Sequence, residues 1–102
     1  MYNNMFGKVN TREMTRLVNM LGGANIPYEI HEAWGGLRIA YPNNTDIVCS
    51  VIQHGFSYGG KEGYLEIMGL LTEEEDERDS VKGWLTAEDV FERISNHFSK
   101  TS

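Results

Sequence analysis

The sequence of 102 residues contains one cysteine, Cys49, and two prolines. A single cysteine excludes an internal disulfide and is typical of a reducing compartment, so we expect a cytoplasmic protein. No apolar run approaches the roughly 20 residues that a membrane-spanning helix needs. The first ten residues also lack the charged and apolar blocks of a secretory signal. We therefore expect no membrane partner.

Positive charge is scarce as well. Nine Lys and Arg residues face 15 Asp and Glu residues, which gives a formal net charge of −6. Binding to duplex DNA depends on clustered Lys and Arg, so this balance predicts no duplex nucleic-acid partner. The hydrophobic share of 40% is typical of a globular chain. Its length predicts a single domain over residues 1–102.

The hydrophobic pattern has a helical period at both ends of the chain. Apolar residues repeat with helical spacing from Thr11 to Leu21, and Asn10 with Glu13 has the pattern of a capping box. Near the other end, Thr72 and Glu75 have the same pattern and predict a short helical turn. A final helix is predicted from an apolar stripe of four residues: Val90, Phe91, Ile94 and Phe98.

Between the helices the period changes to two, which is typical of strands. Gly35-Gly36 is the expected turn of a first hairpin, and the β-branched segment from Ile47 to His54 is expected to be a central strand. Four strands are predicted: 28–31, 37–41, 47–54 and 64–68. The predicted fold class is therefore α+β, a four-stranded antiparallel meander flanked by an N-terminal and a C-terminal helix.

The sequence offers little for catalysis or metal binding. His31, His54 and His97 are widely separated, and metal ligands usually occur in closely spaced pairs. Cys49 lies among β-branched residues, where a thiol behaves as a small hydrophobic group. No serine occupies a Gly-x-Ser-x-Gly elbow. We therefore expect no catalytic residue, no metal and no cofactor, and we expect that the protein is not an enzyme.

The segment Gly55–Gly63 has four glycines in nine residues. Glycines let backbone N–H groups approach an anion, Lys61 supplies a cation, and Tyr58 offers a face for stacking. The tryptophans Trp34 and Trp84, each beside a glycine, can anchor a ligand or cover a sheet edge. The candidate ligand-binding residues are Arg38, His54, Ser57, Tyr58, Gly59, Gly60, Lys61 and Trp84. The alternative is a hairpin loop whose glycines only permit the turn.

An acidic run, Glu73–Asp79, holds six acids in seven residues. One interpretation is a mimic of nucleic-acid phosphates that occupies the basic groove of another protein. The other is a solvated helix face that keeps the protein in solution.

Several phrases of the chain resemble those of small uncharacterised accessory proteins from phages and prophages of Gram-positive bacteria. The resemblance spans residues 17–98. It is carried by Ile26–Glu29, Gly35-Gly36 with Tyr41-Pro42, Phe56–Gly59, Leu65–Thr72 and Gly83–Phe91.

The resemblance implies a counter-defence role in the host cytosol. In one hypothesis the protein sequesters a nucleotide-derived immune signal, of the cyclic oligonucleotide or cyclic ADP-ribose type. In the alternative it binds and inhibits a host defence protein directly, as anti-CRISPR proteins do. A homo-oligomer is expected in either case, because a chain this small can bury edge strands and aromatics against a second copy.

Overall fold

The structure is a computed structural model that describes residues 10–101, which form three α-helices, one 3-10 helix and one five-stranded sheet. The expected domain of residues 1–102 includes 1–9 and 102, which lie outside the described residues. None of the described helices is long and apolar enough to cross a membrane. The elements are α1 (Arg12–Gly23), β1 (Glu29–Ala33), β2 (Gly36–Tyr41), β3 (Cys49–Gln53), the 3-10 helix (Gly60–Glu62), β4 (Leu65–Met68), α2 (Glu73–Asp79), β5 (Lys82–Leu85) and α3 (Ala87–Thr101).

The predicted α+β class is confirmed, but the predicted count of four strands is wrong. The sheet is an antiparallel meander in the order β1-β2-β3-β4-β5, with β3 at its centre as expected. The additional strand, β5, pairs with β4 through Leu65 opposite Leu85, and an irregularity follows in the register. Its residues alternate between exposed and buried, but the buried positions are Gly83 and Leu85. The apolar side chains of Trp84 and Leu85 are therefore adjacent, and the hydrophobic pattern of the sequence does not have a period of two.

The first hairpin turns one residue earlier than predicted. Ala33 pairs with Gly36, so the turn residues are Trp34 and Gly35, both with positive φ (50° and 78°). This is the conformation that a two-residue hairpin with the right twist requires. Gly36 instead belongs to β2, where a Cβ atom would strike the backbone oxygen of Gln53. Gly36 is needed for the close approach of two strands.

Helices α1 and α3 pack against each other and cover one face of the sheet. The core contains fully buried side chains from both layers: Met14, Leu17, Leu21, Ile39, Val51, Leu65, Ile67, Val90 and Ile94. The register places Arg38, Ile52 and Glu66 side by side on the other face, where each is only half-buried. Among residues 10–101, no helix covers that face of the sheet.

The expected capping box at Asn10 and Glu13 does not form. Asn10 accepts a hydrogen bond from the Arg12 N–H at 3.1 Å, whereas Glu13 turns inward and accepts the Ala87 N–H at 2.9 Å. A side chain of α1 thus caps the first turn of α3. Thr72 and Glu75 do form the predicted capping box at α2.

Candidate functional site

Exposed aromatic side chains gather at one end of the sheet. The register sets the start of β2 and the start of β4 beside the end of β3, and the end of β5 opposite the start of β4. The β1–β2 turn, the β3–β4 loop and the end of β5 therefore share one end of the sheet. Phe56 is 89% exposed, Trp34 74%, Trp84 57% and Tyr58 52%. We call this surface the aromatic end; it comprises Trp34, Phe56, Tyr58, Tyr64 and Trp84.

Two ring clusters build the aromatic end. The ring of His54 lies 5.4 Å from that of Trp34 and 6.2 Å from that of Phe56, so two exposed rings lie next to a buried one. On the other side, the rings of Tyr64 and Trp84 lie 5.8 Å apart. Tilted pairs at these distances are favourable aromatic contacts. The two clusters expose large apolar ring surfaces to solvent.

The glycine-rich loop is bonded to itself. The N–H of Ser57 donates to His54 O, that of Gly60 to Ser57 O, and that of Gly63 to Gly60 O. The N–H of Phe56 donates to His54 Nδ1 at 3.0 Å, and that of Tyr58 to Glu66 Oε1 at 2.8 Å. These N–H groups are therefore engaged within the protein and do not point to an open anion cradle.

Four of the predicted site residues are buried at or within this loop: His54, Ser57, Gly59 and Gly60. The Ser57 hydroxyl accepts the His54 N–H at 3.0 Å and donates to His54 O at 2.9 Å. A Cβ atom at Gly60 would meet His54 O and Ser57 Oγ. These residues shape the loop, and neither the Ser57 hydroxyl nor the Gly60 backbone is presented to solvent.

The two predicted cations are not brought together. The Arg38 guanidinium lies on the open face of the sheet and donates to Asn44 Oδ1 at 3.0 Å and Ser50 Oγ at 3.3 Å. Both acceptors lie toward the end of the sheet opposite the glycine-rich loop. Lys61 is exposed on the 3-10 helix. Arg38 therefore does not reach the loop that carries Lys61.

Tyr58, Gly59 and Trp84 do meet. The Trp84 N–H donates to Tyr58 O at 3.3 Å. Gly59 has a φ of 80°, and a Cβ there would lie 3.0 Å from Trp84 Cδ2. The loop and β5 thus hold each other through this contact, which joins three of the predicted residues.

Gln53 is the residue that sequence reasoning missed. Its side chain is fully buried beneath the loop, and Nε2 donates to Gly60 O at 2.9 Å. Its Oε1 has no hydrogen-bond partner among the residues that the structure describes. An available signal was its position, since an amide occupies the core-facing alternation of Cys49 and Val51. Gln53 anchors the loop to the sheet.

The acidic helix α2 borders the aromatic end and is held by one ion pair. Both oxygens of Glu75 accept hydrogen bonds from Arg93 at 2.8 Å. These bonds lower the pKa of Glu75 from 4.5 to about 2. Over residues 73–79, as the structure describes them, no side chain is buried. The helix is therefore positioned by Glu75 and Arg93 and presents its other acids to solvent.

Within residues 10–101, no three His, Cys, Asp or Glu side chains form a group that could hold a metal ion. Burial raises the pKa of the Cys49 thiol to about 12, which suppresses the nucleophilic thiolate. The exposed groups of this surface include aromatic rings and the carboxylates of α2. Comparisons of the chain with protein-family models, with curated proteins and with solved structures find no match.

Proposed function

We propose that the protein acts without catalysis, as an inhibitor that binds another protein through the aromatic end. The observation that carries this proposal is the clustering of Trp34, Phe56, Tyr58 and Trp84, all exposed, at one end of one sheet. Tyrosine and tryptophan are enriched in protein interfaces and supply most of the residues on which binding depends. Exposed apolar clusters of this kind mark interaction sites.

The internal hydrogen bonds of the glycine-rich loop support a protein target. Most of its N–H groups are engaged within the protein, as described above, so a small anion finds few free donors there. Rings on a loop that is already ordered lose little conformational entropy when a partner binds. An extended, preorganised surface of this type suits a protein more than an enclosed small ligand.

The setting of the proposal comes from the resemblance to phage accessory proteins. It implies that the partner belongs to a bacterial defence system. In this proposal the protein covers a functional surface of that partner and needs no chemistry of its own.

A plating experiment tests the proposal. The protein is expressed in bacterial strains that each carry one defence system, and the efficiency of phage plating is measured. We expect wild type to restore plating on at least one strain and the Trp34→Ala/Phe56→Ala variant to lose that effect by about ten-fold or more. Purified wild type should also co-elute with a component of that system.

The matched control is Ile47→Ala, which removes an exposed apolar side chain at the opposite end of the sheet. It should restore plating as wild type does. Equal activity of the Trp34→Ala/Phe56→Ala variant would overturn the proposal, and so would the absence of any effect in every strain.

A second candidate function is sequestration of a nucleotide-type signal at the same end. The observation that favours it is the cluster of the exposed Trp34 and Phe56 rings against the His54 ring, because exposed rings are platforms for base stacking. Lys61 would supply the charge for a phosphate. A thermal-shift screen against cyclic di- and trinucleotides and cyclic ADP-ribose isomers tests it. A tight ligand at hundred-fold excess adds ~2.7 kcal/mol, which is a shift of several degrees for a domain of this size. A flat screen would overturn this candidate.

A further inference from the structure

We propose that the outer edge of β1 pairs with β1 of a second copy of the chain, antiparallel and with Ile30 opposite its own counterpart. The result is a symmetric dimer in which the two sheets become one. This inference goes beyond the proposed function, because it concerns how the chain assembles with itself.

The outer edge of β1 has no strand beside it among residues 10–101, because β1 is the first strand in the order of the sheet. Its five residues, Glu29–Ala33, pair with β2 in a regular register without a bulge. Proteins protect edge strands with bulges, with lysine or by keeping them short. The other edge strand, β5, has four residues that include Lys82, and its register with β4 is irregular. Strand β1 has neither a lysine nor a bulge, so it offers a regular ladder to another strand.

Two residues of β1 direct their backbone groups away from β2. The turn after β1 has two residues, both with positive φ, and such a turn is closed by a hydrogen bond between the residues on either side, Ala33 and Gly36. Hydrogen-bonded and non-bonded pairs alternate along an antiparallel ladder, so every second residue of β1, counted from Ala33, bonds to β2. The N–H and C=O groups of Ile30 and Glu32 therefore point to the outer edge.

The side chain of Ile30 gives this edge an apolar contact. Ile30 lies in one row across the sheet with Ile39, Val51 and Ile67, on the face that α1 and α3 cover. Those three side chains are fully buried, whereas Ile30 is 42% exposed. A second copy paired at Ile30 continues this row and covers the exposed side chain, so apolar burial adds to the backbone hydrogen bonds.

The polar side chains of β1 favour this register. Within one chain, His31 Nε2 already lies 3.4 Å from Glu29 Oε1. With Ile30 opposite itself, Glu29 also lies opposite His31 of the second copy, so each carboxylate faces an imidazole that can donate to it. Glu32 then lies opposite Tyr28 of the second copy, whose hydroxyl is a hydrogen-bond donor.

The two neighbouring registers that also pair the outward backbone groups are less favourable. In one of them Glu32 lies opposite Ile30, which removes water from a carboxylate beside an apolar side chain. In the other, Glu32 lies opposite Glu32 of the second copy, and like charges directly opposite are destabilising. The sequence of β1 therefore complements itself best at Ile30.

Sedimentation equilibrium of the full chain measures the dimer. Two paired five-residue strands form a small interface, below about 1,200 Å², so we expect monomer and dimer to exchange between about 1 μM and 1 mM. Ile30→Lys sets two ammonium groups opposite each other and should weaken the dimer by about ten-fold or more. The matched control is Met68→Lys, which makes the same change of charge at an exposed apolar residue of β4, three strands away. It should dimerise within about two-fold of wild type.

An exchange of two residues tests the polar pairing. His31→Glu alone sets a carboxylate opposite Glu29 and should weaken the dimer by about three-fold or more. Glu29→His/His31→Glu sets a carboxylate opposite an imidazole again, so it should return the dimer to within about two-fold of wild type.

Disulfide cross-linking in a Cys49→Ala background measures the register directly. Opposite residues of a hydrogen-bonded pair have Cα atoms about 5.5 Å apart, a distance that a disulfide spans. Ile30→Cys should form covalent dimers at least about ten-fold faster than Thr45→Cys, an exposed site outside β1. His31→Cys and Glu32→Cys should not, because neither residue lies opposite itself in the proposed register.

The inference is overturned if wild type sediments as a monomer throughout this range, or if Ile30→Lys and Met68→Lys weaken the dimer equally. Faster cross-linking of His31→Cys or Glu32→Cys than of Ile30→Cys would also overturn it, because each marks one of the other registers. The cysteine variants introduce no charge, so they decide the matter even if Ile30→Lys does not fold. None of these substitutions is at the aromatic end, so their outcome is independent of the proposed function.

Discussion

Arg93 of α3 donates hydrogen bonds to both carboxylate oxygens of Glu75 at 2.8 Å, and its Nη1 also donates to Leu70 O at 3.0 Å. Two parallel charge-assisted bonds fix direction as well as distance. Because no side chain of the described α2 is buried, apolar packing contributes little to the place of this helix. The Glu75–Arg93 pair therefore ties the acidic helix α2 to α3.

The Glu75–Arg93 pair predicts a dependence of stability on pH. The folded-state pKa of Glu75 lies below its ordinary value, so its contribution is complete above about pH 4.5 and is lost as pH falls toward 2. We expect Glu75→Gln to lower the free energy of unfolding by about 1.5–3 kcal/mol at pH 7. Urea denaturation of both proteins from pH 7 to pH 2.5 should show this difference shrinking. Glu73→Gln, on the exposed face of the same helix, is the control. A difference that stays constant with pH would contradict the assignment.

Replacement of Glu13 should destabilise the packing of α1 on α3. Glu13→Ala leaves the buried Ala87 N–H without an acceptor and removes the 2.9 Å bond from Arg16, so we expect a loss of about 2–3 kcal/mol. Glu13→Gln keeps an acceptor and should lose less. Glu88→Ala removes an exposed partner of the same arginine and should cost below about 1 kcal/mol. Equilibrium urea denaturation ranks the three variants. An equal cost for Glu13→Ala and Glu88→Ala would show that the cap contributes nothing.

Sequence reasoning succeeded where a local pattern decided the outcome. The β-branched run of β3, the capping box of Thr72 and Glu75, and the helical stripe of α3 are all patterns of nearby residues. It failed where a residue distant in the sequence determines the contact. Glu13 has the spacing to cap its own helix, yet its carboxylate accepts the N–H of Ala87, 74 residues away.

The same reason explains the mixed outcome at the site. The sequence identified a glycine-rich loop but not that Glu66 accepts the Tyr58 N–H, because this carboxylate belongs to β4 and lies outside the loop. Strand β5 has a weak pattern of its own and forms because β4 offers an edge. The aromatic residues themselves can be read from the sequence, but their common position at one end of the sheet depends on the strand register.

Gly60 gives a test of whether the loop is rigid. A Cβ atom there would meet His54 O and Ser57 Oγ, and backbone atoms do not yield easily, so Gly60→Ala should cost about 1–3 kcal/mol. Gly22 is the matched control, because nothing lies within 4 Å of its added Cβ and it is helical. Gly22→Ala should stabilise the protein by about 0.5–1 kcal/mol. Thermal or urea denaturation measures both. A neutral Gly60→Ala would mean that the loop adapts and is not preorganised.

The Cys49 thiol should be almost inert in the native protein. It is buried in the central strand, and its pKa of about 12 leaves little thiolate at pH 8. A thiol reagent such as 5,5′-dithiobis(2-nitrobenzoate) can then react only after the protein has opened. The folded population of a small domain exceeds the unfolded population by a factor of ~10³–10⁸. We expect native Cys49 to react at least about a thousand-fold more slowly than in urea. The exposed reference is Thr45→Cys in a Cys49→Ala background, which should react rapidly without urea. If native Cys49 reacts as fast as this reference, the central strand is not closed as described.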